Sequence, residues 1–128
     1  MITGSSRGIG RAIAEHFAKE GARIVLNFVR NEEAARETEK ALQALGAEVL
    51  LFQANMGNPK EAQDLIAAAG KEFGKVNILV HNAALGVFKP VHTLRVKDWD
   101  ISLDVNAKAL LFLTQAALPL MKRNGGKI

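Results

Sequence analysis

Met1-Ile2-Thr3-Gly4-Ser5-Ser6-Arg7-Gly8-Ile9-Gly10 opens the chain with three glycines set between a short β-branched run and an amphipathic helical pattern. A strand, a glycine-rich turn and a helix N-terminus in that order form a cradle for phosphate. The free N–H groups of the first helical turn and the helix dipole both favour a dianion there. In this reading Gly4 permits the tight turn, Gly8 lets the backbone approach the ligand, and Gly10 lets the helix pack closely on the strand. Glycine-rich turns are common, so the rest of the chain decides whether this one is a nucleotide site.

Working outward, helical and extended patterns alternate. Met1–Thr3 reads as the end of a strand, and Gly8–Glu20 as a helix with Ile9, Ile13 and Phe17 on one face, closed by Gly21. Arg23–Phe28 is a strand of the buried type, and Asn31 caps a charged helix that runs to about Leu45 and ends at Gly46. Glu48–Phe52 is a third strand. Pro59 starts a helix with Leu65, Ile66, Ala69 and Phe73 inward, ended by Gly74, and Val76–Val80 is a fourth strand. One long helix is expected from about Asp98 to Arg123, stopped by Asn124-Gly125-Gly126, and Lys127-Ile128 reads as the first step of a fifth strand. Strands separated by helical crossovers run parallel. The expected fold is therefore α/β, a doubly wound parallel Rossmann-like sheet in a single domain over residues 1–128. A flavodoxin-like or receiver-like sheet is the alternative, but it has no need of glycines at 4, 8 and 10.

With 128 residues, 48% of them hydrophobic, and a mean hydropathy of +0.05, the chain has the composition of one soluble globular domain. It has no cysteine, which suits a reducing cytoplasm. His16, His81 and His92 are scattered without acidic partners at ligand spacing, so no metal site is expected. No apolar run reaches the length of a membrane span, and the N-terminus does not resemble a signal peptide. The net charge of +4 reads as solvated helix faces or attraction to an anionic ligand or acidic partner. A basic stripe interleaved with aromatics is missing, which argues against nucleic acid.

The second strand ends Asn27-Phe28-Val29-Arg30. In dinucleotide folds an acid here, about 20 residues beyond the glycines, binds the ribose 2′-hydroxyl of NAD. The first acid in this chain is Glu32; Arg30 takes the region, and Arg7 sits inside the glycine turn. Two guanidiniums can flank a 2′-phosphate that a carboxylate would repel, so NADP is favoured over NAD.

Three stretches together resemble the short-chain dehydrogenases/reductases. Thr3-Gly4-Ser5-Ser6-Arg7-Gly8-Ile9-Gly10 is similar to that family's cofactor motif, His81-Asn82-Ala83-Ala84 to its Asn-Asn-Ala-Gly element, and Asn106 in Asp104-Val105-Asn106-Ala107 to its asparagine in the long helix. The resemblance implies NADP(H) held by Gly4, Ser6, Arg7, Gly8, Ile9, Gly10, Arg30, Asn55, Met56, Asn82, Ala83 and Ala84. It also implies a catalytic part for Asn106, holding a water in a proton relay after distorting its helix. An asparagine in mid-helix is unfavourable by propensity, and a helix–helix hydrogen bond is its plain structural explanation. Ala54-Asn55-Met56-Gly57, Asn82 to Val87 and Asn106 to Phe112 look closest to the NADPH-dependent enoyl-acyl-carrier-protein reductases of the family, with the 3-oxoacyl-acyl-carrier-protein reductases next. On that reading the partners are an acyl carrier protein thioester and further copies in a homotetramer, with neither nucleic acid nor membrane involved.

The departures are informative. Asn55 stands where the family has an aspartate accepting from the adenine amino group, His81 replaces an asparagine, and Ala84 replaces a glycine. The family's tyrosine proton donor, with its lysine four residues on and its serine, has no counterpart, because the chain holds no tyrosine. The resemblance thus implies the N-terminal, cofactor-binding half of a reductase, inactive by itself. A raw sheet edge at the fourth strand and an all-round apolar helix, with Leu103, Leu110, Leu111, Phe112, Leu113, Leu118, Leu120 and Met121, are expected to need a covering. A non-catalytic nucleotide-binding module is the alternative of another class.

Overall fold

Ile24–Phe28 (β1) is buried at every position, as expected of a strand covered on both faces. The computed structural model describes residues 1–121 and 125–128. β1 pairs in parallel with Val49–Gln53 (β2), Ile24 opposite Val49 through Phe28 opposite Gln53. On the other side of β1, Ile2 is bridged in parallel to both Leu26 and Val80, and Ile78 is bridged in parallel to Lys127. The order across the sheet is therefore 49–53, 24–28, 1–3, 78–80, 127, the 3-2-1-4-5 order of a dinucleotide fold. The change of direction falls between Thr3 and Val80, and the carboxyl ends of those two segments lead into Gly4–Gly10 and His81–Ala84.

Gly8–Lys19 (α1) and Glu32–Ala44 (α2) cover one face of the sheet, where Ala14, Ala18, Ala35 and Leu42 pack with Ile2, Ile24, Leu26 and Phe28. Pro59–Phe73 (α3) and the long helix cover the other, where Leu65, Ile66, Leu113 and Ala117 pack with Val25 and Leu79. Asn31 caps α2 by accepting from Ala34 N–H at 3.0 Å, and Asn58 caps α3. Gly74, at φ 73°, ends α3.

Four expectations are corrected. The buried stripe of α1 is Gly10, Ala14 and Ala18, with Ile13 and Phe17 flanking it and Ile9 75% exposed. Close seating of this helix on the sheet selects small side chains, so the bulky ones fall to its sides. The fourth strand is reduced to single bridges at Ile78 and Val80, and its outer edge is not raw: Lys127 donates to Asn77 and accepts from Leu79. The long helix starts at Val96, because the Arg95–Asp98 pair caps it, and it is interrupted. It runs as Val96–Leu103 (α4), a π-turn over Asp104–Lys108, then Ala109–Met121 (α5). Its expected end at Arg123 and the stop residue Asn124 lie outside the described residues. Finally, the 26 residues Val96–Met121 include an 18-residue stretch with a mean hydropathy of 1.2, long and apolar enough, by length and composition alone, to cross a membrane. The sequence hides this because charges interrupt the first half. One face of the second half, Ala109, Leu113, Ala117 and Met121, lies in the core, while Leu110, Leu111 and Leu118 are exposed. The helix is thus buried on one side and not all round.

The Met1 nitrogen donates to Ile78 O at 2.8 Å within the sheet.

Candidate functional site

The glycine turn is held from three sides. Asn27, wholly buried in β1, accepts from Gly4 N–H at 3.0 Å and donates to Ala54 O at 3.0 Å. Ser5 Oγ donates to Ile2 O and accepts from Asn27 N–H. Thr38 of α2 donates to Ser6 O at 2.9 Å, and the Asn82 amide donates to Thr3 O and Gly4 O at 3.0 and 3.2 Å. The turn's inward polar groups thus have protein partners, and its shape is set without a ligand.

Its outward side is built differently. The N-terminus of α1 has neither a side-chain cap nor an acidic residue in its first turn, whereas α2 and α3 have both. Gly8, at φ +57°, has nothing within 4 Å of the place a Cβ would occupy. At Gly10 a Cβ would stand 2.5 Å from Asn82 Nδ2 and from Gly4 O, so this glycine is required by the packing of helix against turn. Open backbone at Gly8 beside uncapped N–H groups is a site for an anion.

The opposite wall is the segment after Val80. Thr3 Oγ1, fully buried, accepts from the N–H groups of Asn82 and Ala83 at 3.0 Å each. The Asn106 side chain grips one residue of this segment with both ends, accepting from Leu85 N–H at 2.8 Å and donating to Leu85 O at 2.9 Å. Asn106 sits in the π-turn, where Ala109 N–H donates to Asp104 O, five residues back. The expected local distortion of the helix is present, and the side chain bonds to a loop and not to another helix.

At the far side Asn55 caps its own turn, its Oδ1 accepting from Gly57 N–H at 3.0 Å, and Glu61 accepts from Asn55 N–H at 2.7 Å. The Asn55 oxygen keeps a second lone pair for an outside donor. The Met56 side chain is buried in the core, which leaves only its main chain for a ligand. Arg7 and Arg30 are exposed and have no ion-pair partner among the described residues. Ser6 and Ala83 are half-buried at the rim, with Ile9 and Ala84 exposed. No cluster suited to a metal occurs among the described residues.

Further along this wall, Asp98 fastens the loop before α4. It accepts from Arg95 Nε and Nη2 at 2.9 and 2.8 Å and from Lys89 Nζ at 3.0 Å, and these two cations hold its carboxyl well below the usual carboxylate range. A separate cleft of about 260 Å³, bordered by Met1, Phe17, Arg23, Phe73 and Val76, lies at the opposite end of the sheet and takes no part in this site.

Sequence reasoning found the turn, Asn82–Ala84 and Asn106, but it missed the residues that hold them: Asn27, Thr38, Ser5 and Glu61. A buried asparagine in Ile-Val-Leu-Asn-Phe was the available signal, since a polar group in such a strand must have partners.

The family model of the short chain dehydrogenases matches residues 1–128. The chain is 32% identical over 123 residues to a 3-oxoacyl-acyl-carrier-protein reductase of Staphylococcus epidermidis, covering 96% of this chain and 50% of that protein. It is also 32% identical to an uncharacterized oxidoreductase of Methylorubrum extorquens, covering 100% of this chain and 52% of that one. Among solved structures, a short chain dehydrogenase from Burkholderia cenocepacia in complex with NADP superposes with a TM-score of 0.90 at 32% identity, covering 93% of this chain and 49% of that one. The chain thus spans about half the length of the curated relatives it matches. Several relatives at this likeness carry the 3-oxoacyl name, so the nearer likeness to the enoyl reductases, drawn from short segments, is not supported. With the whole of residues 1–128 matched, the glycine turn at the switch point and the doubly wound sheet all in agreement, the chain belongs to the short chain dehydrogenase family.

Proposed function

We propose that residues 1–128 are the cofactor-binding half of an NADPH-dependent reductase acting on a 3-oxoacyl thioester carried by an acyl carrier protein. The observation that carries the cofactor reading is the outward face of the glycine turn: an uncapped α1 N-terminus, open backbone at Gly8, and the exposed guanidiniums of Arg7 and Arg30, which have no ion-pair partner among the described residues, with no acid at the end of β1. These residues fit a dinucleotide. The turn's N–H groups would hold the pyrophosphate, Arg7 and Arg30 the 2′-phosphate, and Asn55 the adenine amino group. When bound, the nicotinamide supplies a hydride. Thr3 and Asn82 keep the turn and the opposite wall in register, and Asn106 fixes the Leu85 backbone at the nicotinamide end. The substrate class follows that of the 3-oxoacyl-acyl-carrier-protein reductase of Staphylococcus epidermidis. The exposed apolar side chains of Trp99, Ile101, Leu103, Leu110, Leu111 and Leu118 along the long helix support assembly of further copies, a homotetramer on our reading.

The test is a nucleotide titration followed by nucleotide fluorescence. NADPH is expected to bind more tightly than NADH. Arg7→Ala should weaken NADPH about tenfold, the worth of one charge-assisted hydrogen bond, and leave NADH within threefold. Equal affinity for the two nucleotides would refute the reading. Residues 1–128, which hold no tyrosine, are expected to bind NADPH without turnover. A form of the protein that carries such a proton donor should reduce a 3-oxoacyl thioester and leave an enoyl thioester untouched; the reverse result would return the substrate to the enoyl class.

A further inference from the structure

His81 stands where the family motif has an asparagine, and its ring bonds to two parts of the site that no other side chain among the described residues bridges by hydrogen bonds. Nδ1 lies 3.2 Å from Thr3 Oγ1, and Nε2 lies 3.1 Å from Val105 O in the π-turn. The chemistry of these partners fixes the ring's proton. A carbonyl oxygen can only accept, so Nε2 carries the hydrogen and Nδ1 is the bare acceptor. Thr3 Oγ1 already accepts from Asn82 and Ala83 N–H, so its own hydrogen is free to point at Nδ1. One directed chain results: Thr3 O–H to Nδ1, then Nε2–H to Val105 O. Thr3 precedes Gly4 in the glycine turn, and Val105 precedes Asn106. The Val105 side chain lies against the Met56–Gly57 turn, where a Cβ on Gly57 would stand 3.1 Å from Val105 Cγ2.

We propose that His81 is a positioning residue that ties the glycine turn to the π-turn, so that seating of the dinucleotide at Gly4–Gly10 is transmitted to Asn106 and its grip on Leu85. This rests on the dinucleotide reading of the same site. An asparagine at 81 would reach only Thr3. The longer imidazole reaches both, which couples the phosphate end of the site to its nicotinamide end through a single side chain.

Two variants separate the arms. In His81→Asn the Oδ1 can take the place of Nδ1 towards Thr3, and the arm to Val105 is lost. In His81→Gln the terminal amide can take the place of Nε2 towards Val105, and the arm to Thr3 is lost. The readouts are NADPH affinity and amide hydrogen exchange over residues 104–109 and at Leu85, with and without NADPH, in the intact protein. Wild type should show exchange over 104–109 slowed by NADPH. H81N should keep NADPH affinity within about threefold, exchange about tenfold faster at 104–109 without ligand, as expected for one lost hydrogen bond, and lose the response to NADPH. H81Q should keep the ligand-free exchange of wild type and also lose the response. A residue that merely filled space would change both ends together. The imidazole nitrogen resonances of wild type should show the Nε2–H tautomer. An Nδ1–H ring, or an NADPH response retained in both variants, overturns the proposal. A wild-type protein that binds neither NADPH nor NADH refutes the dinucleotide reading instead. The ligand-free exchange difference between H81N and wild type then decides the tie by itself.

Discussion

Replacing Asn27 by leucine keeps the size of the side chain and removes both of its polar ends. Two groups then lose their partners in a buried place: Gly4 N–H, bonded at 3.0 Å to Oδ1, and Ala54 O, bonded at 3.0 Å to Nδ2. The other two acceptors stand farther off, at 3.3 Å, and Phe28 O keeps a bond from Ala54 N–H. Each orphaned group costs roughly 1–3 kcal/mol, and burying an apolar side chain in exchange returns about 1 kcal/mol. The net loss is about 1–5 kcal/mol, a large share of a domain's stability. Because Gly4 lies in the turn, NADPH should also bind at least about tenfold more weakly, the equivalent of one lost hydrogen bond. Urea unfolding followed by circular dichroism gives the first quantity and nucleotide fluorescence the second. Asn27→Asp sharpens the test. It keeps the acceptor for Gly4 but turns a carboxylate oxygen towards the Ala54 carbonyl, so it should be at least as damaging at neutral pH. An N27L protein within about 0.5 kcal/mol of wild type, with unchanged NADPH affinity, would refute the assignment of Asn27 as the anchor of the turn.

Gly8→Ala and Gly10→Ala should separate binding from folding. At Gly8 the added methyl meets open space but the φ of +57° strains it by about 1–2 kcal/mol, so stability falls modestly while nucleotide binding is lost. At Gly10 the methyl strikes Asn82 and Gly4 O at 2.5 Å, and thermal unfolding should show a loss of roughly 2–4 kcal/mol.

The parts of this fold that were legible in the sequence are those written in local chemistry. Asn31 and Asn58-Pro59 mark helix starts, Gly46 and Gly74 mark ends, and the alternation of periods gives the parallel sheet. What stayed hidden depends on partners far along the chain. Asn27 reads as an interruption of an apolar run until Gly4 and Ala54 are seen beside it. In α1 the apolar spacing pointed to Ile9, Ile13 and Phe17, but close packing on a sheet is decided by volume, and the small residues one step along the helix take the inner face. The start of α4 lacks the usual hydroxyl or asparagine cap, since an arginine–aspartate pair serves instead. At the site, Gly4–Gly10 could be read from its glycines between strand and helix, while Asn82 and Asn106 were reached through the family resemblance. The distortion around Asn106 came only from the resemblance, because nothing in the composition of Asp-Val-Asn-Ala-Lys sets it apart from ordinary helix.

The π-turn has a consequence for how this helix can change. A π-turn holds one residue more than the α-helical turn it replaces. Substitutions along Asp104–Lys108 leave that count intact. Deleting one residue would let the helix close into a regular α-helix with no loss of backbone hydrogen bonds. It would also rotate everything beyond it by about 100°, the turn of one helical residue. The row Ala109, Leu113, Ala117 and Met121 would swing out of the core, or Asn106 would swing away from Leu85. The two halves of the helix answer to different neighbours, and the extra residue is the joint that lets both be satisfied. Apart from Asn106 and the buried Val105, this stretch should therefore accept many changes of residue type, and no change of length.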